Sequence, residues 1–279
     1  ESYGTEGAIT VAAMGGDLTS SYGSIRNYGS GGIALSASAG MFIDSGGVSS
    51  YGGAMTLSAV GDIDVDAELT ARDNLSLDSI AGSIETGGEI VAGGTGSFTA
   101  AGDVTLESEN IATGASGSFS YGLQSSGLSG ELTVTSESGN ISSDVSQIQV
   151  YSGDLTMTAD TGGIDAEGDI EIQDGSVTLS ANQGISLDSL YLTSYGTGAI
   201  TVQAMGGDVT SSYGSIRNYG SGGIALSASG GITIDSGYVK SYGGAATLSA
   251  VGDIEIASGS LFCLLYTSPS PRDGLLARM

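Results

Sequence analysis

The strongest constraint on the fold is that the chain repeats itself at long range. Residues 8–65 align without gaps to residues 199–256, at an offset of 191 positions, and 48 of the 58 aligned residues are identical. The differences between the copies include mild ones, such as Leu18 against Val209 and Val65 against Ile256. A block copied this closely within one chain predicts a repeat architecture in which each unit contacts its neighbours.

A shorter period lies inside that block. Triplets of the form apolar-x-apolar, such as Leu155-Thr156-Met157, return at steps of 20 to 24 residues. The triplets begin at Ile9, Ile33, Met55, Leu75, Leu132, Leu155, Val177, Ile200, Ile224 and Ala246. The region 98–130 interrupts this rhythm, and its Ser- and Gly-rich stretch 122–130 predicts a loop inserted in one repeat.

The short period indicates a fold class. Apolar residues that alternate over three to five positions are typical of short β-strands. Helices are disfavoured because 49 of the 279 residues are Gly, each of which costs about 1 kcal/mol inside a helix relative to Ala. Repeats this small cannot bury their own apolar face, so they must stack. We therefore predict an all-β fold, a parallel β-helix (β-solenoid) of about twelve turns with about 22 residues each. The alternative, an array of β-sandwiches, would need longer strands and hairpin turns.

Composition excludes several function classes. The chain has no His and one Cys, which removes the commonest general base and rules out disulfide frameworks and thiolate zinc sites. It has 31 acidic and 6 basic residues and a formal net charge of −25, so nucleic acid is not an expected partner. No run of about 18 apolar residues occurs, so no transmembrane segment is predicted.

The two ends of the chain differ from its body. Glu1 lies in the middle of a repeat, which predicts that the natural protein is longer. Residues 263–273, Cys-Leu-Leu-Tyr-Thr-Ser-Pro-Ser-Pro-Arg-Asp, resemble a translated transposase adapter of the kind used in sequencing libraries, and they hold the only Cys and both Pro residues. We therefore predict a single solenoid region over 1–260, followed by a non-native or disordered tail over 261–279.

Gly-Asp pairs recur at expected corners of the coil. Their carboxylates belong to Asp17, Asp62, Asp103, Asp154, Asp169, Asp208 and Asp253. Stacked carboxylates could share Ca²⁺, but the sequence lacks the calcium β-roll pattern. The preferred interpretation is that each carboxylate caps local backbone N–H groups. No resident cofactor or metal is predicted, only weak Ca²⁺ binding that screens the charge.

The most distinctive local feature is Ser-Ser-Tyr-Gly-Ser-Ile-Arg-Asn-Tyr-Gly, found at 20–29 and again at 211–220. Aromatic rings beside a guanidinium group can contact a sugar or a peptide. In the structural alternative, each Tyr covers a turn and each Arg neutralises nearby carboxylates; Tyr51 and Tyr242 would cover corners in the same way. The expected partners are host or matrix glycans or proteins, and neighbouring repeats of the same chain. The candidate contact residues are Tyr22, Arg26, Tyr28, Tyr213, Arg217 and Tyr219.

Catalysis is not expected. Some β-helix enzymes act on polysaccharides with clustered carboxylates and a Lys or Arg in a cleft, whereas the acidic residues here follow the repeat instead of gathering at one place. Lys240 is the only Lys, and Ser49 stands at its position in the first copy. Asp64 and Asp66 could form a carboxylate pair, but the second copy does not keep both. A Ser nucleophile would lack a His or a placed Lys.

The repeated phrases Gly-Asp-Ile-x-Val and Leu-Thr-Val-x-Ala resemble those of filamentous-haemagglutinin-type adhesins and related large autotransporter exoproteins. Examples are Gly-Asp-Leu-Thr-Met-Thr-Ala at 153–159 and Gly-Asp-Val-Thr-Leu at 102–106. The resemblance implies a right-handed parallel β-helix, export across the outer membrane to the cell surface or the medium, and a role in adhesion or biofilms. It predicts a structural and adhesive rod in a large secreted bacterial surface protein. The alternative is a calcium-stabilised biofilm-matrix or surface-layer repeat protein.

Overall fold

The chain coils into a β-solenoid. The computed structural model describes residues 6–108, 110–113, 130–258 and 260–263. Within these residues there are thirty-one β-strands and no helix, and neighbouring strands pair in parallel. None of the described segments could cross a membrane as an apolar helix. The predicted all-β parallel solenoid is confirmed, with eleven described turns rather than about twelve.

Each turn contributes a strand to each of three faces. Face 1 holds β1 (Ile9–Ala13), β4 (Ile33–Ala37), β7 (Met55–Ala59), β10 (Leu75–Ser79), β13 (Gly96–Ala100), β16 (Leu132–Ser136), β18 (Leu155–Ala159), β20 (Val177–Ala181), β23 (Ile200–Ala204), β26 (Ile224–Ala228) and β29 (Ala246–Ala250). Turns are numbered 1 to 11 in this order. Ten of these eleven strands begin at the predicted triplets, because alternation places every second apolar side chain inside.

The other two faces form one sheet. Face 2 holds β2 (Leu18–Ser20), β5 (Met41–Ile43), β8 (Ile63–Val65), β11 (Ile84–Thr86), β14 (Val104–Leu106), β21 (Ile185–Ser186), β24 (Val209–Ser212), β27 (Ile232–Asp235) and β30 (Ile254–Ile256). Face 3 holds β3 (Ser24–Asn27), β6 (Gly47–Ser50), β9 (Glu68–Ala71), β12 (Ile90–Ala92), β15 (Asn110–Thr113), β22 (Leu190–Ser194), β25 (Ser215–Asn218), β28 (Tyr238–Ser241) and β31 (Ser260–Cys263). The long strands β17 (Ile141–Val150) and β19 (Ile164–Ile172) run through both faces and join them.

Turn 5 was not recognised in the sequence. Its strands β13, β14 and β15 lie where the rhythm was expected to break, yet they pair in register with the turns on either side. The long step follows them: Gly96 pairs with Leu132, 36 residues later. The additional residues lie between Thr113 and Gly130, and the Thr113 hydroxyl donates a hydrogen bond to the Gly130 carbonyl oxygen at 3.0 Å. The predicted loop at 122–130 falls outside the described residues, apart from Gly130.

The core consists of apolar ladders that run along the solenoid. Burying one such side chain stabilises the fold by about 1.5–3 kcal/mol, and each turn alone is too small to do so. The central ladder of face 1 passes through residues that are at most 1% exposed: Leu35, Leu57, Leu77, Phe98, Val134, Met157, Leu179, Val202 and Leu226. Stacking therefore builds the interior that no single repeat could supply.

The duplicated blocks fold into equivalent turns. Strands β1 to β8 and strands β23 to β30 begin at residues that differ by 191 in every case. The long period therefore equals eight turns, from turn 1 to turn 9. Equivalent residues of the two copies lie on the same face, about 38 Å apart at about 4.8 Å per turn.

The end of the solenoid lies slightly beyond the predicted boundary. β31 pairs in register with β28 through Cys263, so residues 261–263 belong to a strand rather than to the tail. Residues 264–279 lie outside the described residues. The adapter-like origin of the tail stays a prediction.

Candidate ligand-contact surface

The corner aspartates cap backbone N–H groups, but on the neighbouring turn rather than locally. Because the coil brings successive corners together, five of the seven carboxylates reach an N–H group 21 to 37 residues later in the chain. Five such bonds, at 2.6–2.8 Å, run from Gly40 N to Asp17, from Ser83 N to Asp62, from Asn140 N to Asp103, from Ser176 N to Asp154 and from Gly231 N to Asp208. Capping is confirmed, and the local geometry expected for it is corrected.

Two of these bonds belong to a continuous chain of four hydrogen bonds along one corner. Ser83 N donates to Asp62, Asp103 N donates to the Ser83 hydroxyl, Asn140 N donates to Asp103, and Gly163 N donates to the Asn140 side-chain oxygen. Polar but uncharged Ser83 separates the two carboxylates, which avoids placing like charges on adjacent turns. The corner is therefore tied together by side chains as well as by the backbone.

Asp169 is not at a corner, contrary to the prediction. It lies within β19, opposite Gln147 on one side and Tyr191 on the other. Gly168, just before it, has a φ of 89°, which lets the strand bend from face 2 to face 3 without a break. The Gly-Asp pattern is the same, but the residues before it continue the strand.

The repeat brings several acidic residues close together on successive turns of face 2. Glu85 lies directly opposite Asp64 on the next turn. Burial, followed by the charges of Asp66 and Asp44, raises the pKa of Asp64. Burial, followed by the charges of Asp64, Glu107 and Asp66, raises the pKa of Glu85. Among the described residues, no group of three or more potential ligands is arranged to hold a metal ion.

The predicted contact residues form two trios, and in each trio the structure places the two Tyr residues at different corners. The trios are Tyr22, Arg26 and Tyr28 in the first copy and Tyr213, Arg217 and Tyr219 in the second. Arg26 is in β3 and Arg217 in β25, both on face 3. Each trio has one Tyr before this strand and one after it, six residues apart, or about 20 Å in extended chain. Tyr22 is 94% exposed and Tyr213 is 66% exposed. Tyr22 and Tyr213 therefore lie at the far corner from Tyr28 and Tyr219.

The tyrosines after face 3 form a stacked column. The rings of Tyr28 and Tyr51 stack at 4.8 Å with planes 6° apart. Tyr219 stacks between Tyr195, at 5.4 Å and 9°, and Tyr242, at 4.5 Å and 16°. The sequence predicts that Tyr51 and Tyr242 cover corners. In the structure each of these rings also stacks on another ring, Tyr51 on Tyr28 and Tyr242 on Tyr219. Offset stacking of this kind contributes about 0.5–1.5 kcal/mol per pair beyond burial.

Two cations lie beside the column formed by Tyr195, Tyr219 and Tyr242. Arg217 and Lys240 are opposite each other on neighbouring strands. The Arg217 guanidinium lies 4.7 Å from the ring centre of Tyr238, and the Lys240 ammonium lies 4.4 Å from that of Tyr242. We call this set the tyrosine–cation surface: Tyr195, Arg217, Tyr219, Tyr238, Lys240 and Tyr242. It borders a groove of about 430 Å³, which Phe262 of β31 also lines.

The pKa values of the tyrosines at the two ends of this column shift in opposite directions. A hydrogen-bonding interaction with Lys240, together with one from Tyr219 and the charges of Lys240 and Arg217, lowers the pKa of Tyr242, although burial opposes this. Burial and the charge of Glu171 raise the pKa of Tyr195. The positive potential is therefore concentrated at turns 9 and 10.

Sequence reasoning missed Tyr195, Tyr238 and Lys240 as members of this surface. The tyrosines of the column recur at steps of 24 and 23 residues, from Tyr195 to Tyr219 to Tyr242, which matches the length of a turn. That spacing could have identified the column. The alternative in which Arg neutralises carboxylates does not describe Arg217, whose neighbours are the Tyr238 ring and Lys240.

A larger groove of about 820 Å³ crosses face 2 on turns 6 to 9. Its floor is a row of in-register polar side chains: Ser142, Asp165, Ser186 and Thr210. No aromatic or cationic side chain lines it. It therefore lacks the groups that would hold an anion, and those groups are present at the tyrosine–cation surface.

No family model, curated protein or solved structure matches the chain at a significant level. The resemblance to filamentous-haemagglutinin-type repeats accordingly stays a prediction that rests on the quoted phrases.

Proposed function

We propose that the chain is a segment of a structural and adhesive rod in a large secreted bacterial surface protein. The observation that carries the proposal is the pair of stacked tyrosine columns on one edge of a continuous solenoid. Tyr28 and Tyr51 form one on turns 1 and 2, and Tyr195, Tyr219 and Tyr242 form the other on turns 8 to 10. The rod holds these surfaces apart and presents them outward, and no catalysis is proposed for it.

The stacking supports the proposed mechanical role. Within the described residues, each turn is hydrogen-bonded to its neighbouring turns, and the corner side chains add further bonds between turns. Outward positions on face 1 are mainly Thr and Ser, and the net charge of −25 disfavours collapse of one rod onto another. A stiff, soluble spacer is what display of a contact surface requires.

The proposed location comes from the resemblance alone. Export across the outer membrane and residence at the cell surface are properties of the adhesins whose repeats this sequence resembles.

Attachment can be tested by screening the immobilised full chain against glycan and protein arrays at about 0.15 M salt, where charges beyond about 8 Å are screened. We expect binding to a defined ligand class, and loss of that binding when Arg26→Ala and Arg217→Ala are combined. Unchanged binding in the double variant would remove the Tyr-Arg surfaces from the proposal. Failure to bind anything on either array would count against attachment itself.

One observation favours the calcium-stabilised alternative. Asp64 and Glu85 repel each other across adjacent turns, and a divalent cation would relieve that repulsion. Thermal melts with and without millimolar Ca²⁺ separate the two functions. A large rise in the midpoint would favour the calcium-dependent matrix or surface-layer protein, because a ligand that binds only the folded state stabilises it.

A further inference from the structure

The placement of two cations side by side is unusual for this chain. Only Arg26, Arg72, Arg217 and Lys240 are basic before residue 263, against a net charge of −25 for the whole chain. Arg217 and Lys240 nevertheless occupy directly opposed positions on neighbouring strands, about 4.8 Å apart. Like charges in this arrangement destabilise a sheet. Within the described residues each cation contacts rings rather than a carboxylate.

The rings hold both cations in place before any ligand arrives. Arg217 lies over Tyr238, and Lys240 lies over Tyr242, whose other contact is the stacked ring of Tyr219. A guanidinium group above a ring still directs its N–H groups within its own plane, where a carboxylate can accept two of them. Pre-organisation lowers the entropy that binding would otherwise remove.

The duplicated block provides an internal comparison. Ten of 58 positions differ between the copies, and two of them converge here: Gly47 is replaced by Tyr238, and Ser49 by Lys240. These positions are opposite Ser24 and Arg26 in the first copy, and opposite Ser215 and Arg217 in the second. The second copy thus has a ring beneath Arg217 and a cation beside it, on one surface, that the first copy lacks.

We propose that the tyrosine–cation surface binds a sugar residue that carries a single carboxylate group within an otherwise neutral oligosaccharide. The carboxylate lies between Arg217 and Lys240, and the phenol groups of Tyr219 and Tyr242 hydrogen-bond the sugar hydroxyl groups. This inference rests on the proposed attachment function and specifies its ligand.

The overall charge decides in favour of a sparsely charged ligand. The two cations favour one anionic group locally, but the rod as a whole repels a densely charged chain. A polysulfated oligosaccharide would gain one contact and experience repulsion along its remaining length. A monocarboxylate sugar gains the same contact with little repulsion.

Tyrosine fluorescence of the full chain can measure binding, since the protein has 13 Tyr and no Trp. The probes are a disaccharide of one glucuronic acid and one neutral hexose, its methyl ester, a heparin-type sulfated hexasaccharide and a tripeptide with one Glu. We expect the free acid to bind at least about tenfold more tightly than the ester, as a charge-assisted hydrogen bond requires, and more tightly than the other two probes.

The variant Tyr238→Gly with Lys240→Ser restores the residues of the first copy, which already folds with them. We expect it to weaken binding of the free acid by about tenfold or more. Arg72→Ser is the matched control, because it removes one cation from turn 3, away from the surface, and should leave affinity unchanged. Unfolding midpoints of both variants establish that they fold.

Several results would overturn the inference: equal binding of acid and ester, tighter binding of the sulfated probe or the peptide, or no effect of the double variant. Array attachment without disaccharide binding would refute only this ligand assignment. Disaccharide binding without attachment to any array would instead refute the adhesive function.

Discussion

The carboxylate of Asp103 accepts a hydrogen bond from the backbone N–H of Asn140 at 2.6 Å, although 37 residues separate them. These residues lie on turns 5 and 6, on either side of the longest step in the solenoid. The bond is one link in the side-chain chain that connects Asp62 to Gly163. It therefore helps to keep the coil in register where the connection between turns is longest.

Removing this link should destabilise the fold. We expect Asp103→Ala to lower the free energy of unfolding by about 1 kcal/mol, the usual net value of one hydrogen bond. Urea denaturation measures the change. Asp160→Ala is the control, because it removes the same charge from an exposed side chain for which the described structure shows no side-chain hydrogen bond. Equal effects of the two substitutions would mean that the charge, and not the bond, matters.

The segment between turns 5 and 6 should be dispensable for folding. Deleting residues 115–128 would leave four residues between Thr113 and Leu132, the same number as between Val150 and Leu155 one turn later. Since the Thr113 hydroxyl already contacts Gly130, the new connection needs no rearrangement of the strands. We expect unchanged β-sheet circular dichroism and cooperative unfolding. Loss of cooperativity would show that the deleted residues are needed by the solenoid.

The largest fully buried side chain of the described core lies on β13. Phe98 is fully buried in a ladder that elsewhere holds Leu, Val or Met, and Gly96 precedes it by two residues on the same inward side. A Cβ at Gly96 would lie 2.9 Å from a methyl group of Thr113 and 3.0 Å from one of Leu132, so the absence of a side chain leaves room for these two residues, whereas the Phe98 ring would lie at an ordinary contact distance of 3.8 Å.

Truncating the ring should be costly. We expect Phe98→Ala to lower the free energy of unfolding by about 3–5 kcal/mol, because the transfer energy and a residual cavity add together. Thr99→Ala, on the outward side of the same strand, should change it by no more than about 0.5 kcal/mol. Chemical denaturation compares the two. A cost below about 1 kcal/mol for Phe98→Ala would mean that the core closes around the space.

Stability should depend on pH through the acidic pair. In the folded state the pKa of Asp64 is raised above the ordinary Asp value of 3.8, and the pKa of Glu85 above the ordinary Glu value of 4.5. The folded state therefore holds these protons more tightly than the unfolded chain does. Stability from these groups is therefore fully present below those values and decreases as the pH rises through the folded pKa values. We expect Glu85→Gln to raise the melting temperature at pH 7 and to have little effect near pH 3.

A second carboxylate variant tests whether the effect comes from the acidic neighbours of Glu85. Asp78→Asn, whose cross-strand neighbours Ser58 and Thr99 are uncharged, should raise the melting temperature less at pH 7. High salt should also reduce the gain from Glu85→Gln, because it screens the repulsion that the substitution removes. A gain that stays constant from pH 3 to pH 7 would contradict the coupling between Glu85 and Asp64.

Much of the fold could be predicted from the sequence, and the features that were predicted wrongly or not at all have physical explanations. Ten face 1 strands begin at the predicted triplets, because alternation of side chains reports directly on which residues face inward. Turn 5 was missed because Gly96 occupies the position where the other triplets start with an apolar residue that has a side chain. Asp169 was misplaced because a Gly-Asp pair looks the same whether the strand ends there or bends at Gly168.

Only part of the tyrosine–cation surface could be predicted from the sequence. Arg217 and Tyr219 are neighbours along the chain, so a local motif revealed them. Tyr213 belongs to the same motif but lies at the other corner, since a four-residue strand separates the two. Lys240 and Tyr238 are 23 and 21 residues from Arg217 in the sequence, and their proximity to it depends on the length of the intervening turn.

By itself, the sequence determined that this chain stacks as short parallel strands, because its repeats are too small to bury an apolar face alone. The tertiary structure alone decided which outward side chains meet. Contacts such as Arg217 with Lys240, or Asp103 with Asn140, join residues on successive turns, and turn length varies between 20 and 36 residues along face 1. A change of one residue in a turn would move each outward side chain to the opposite face, so only the completed coil sets the register.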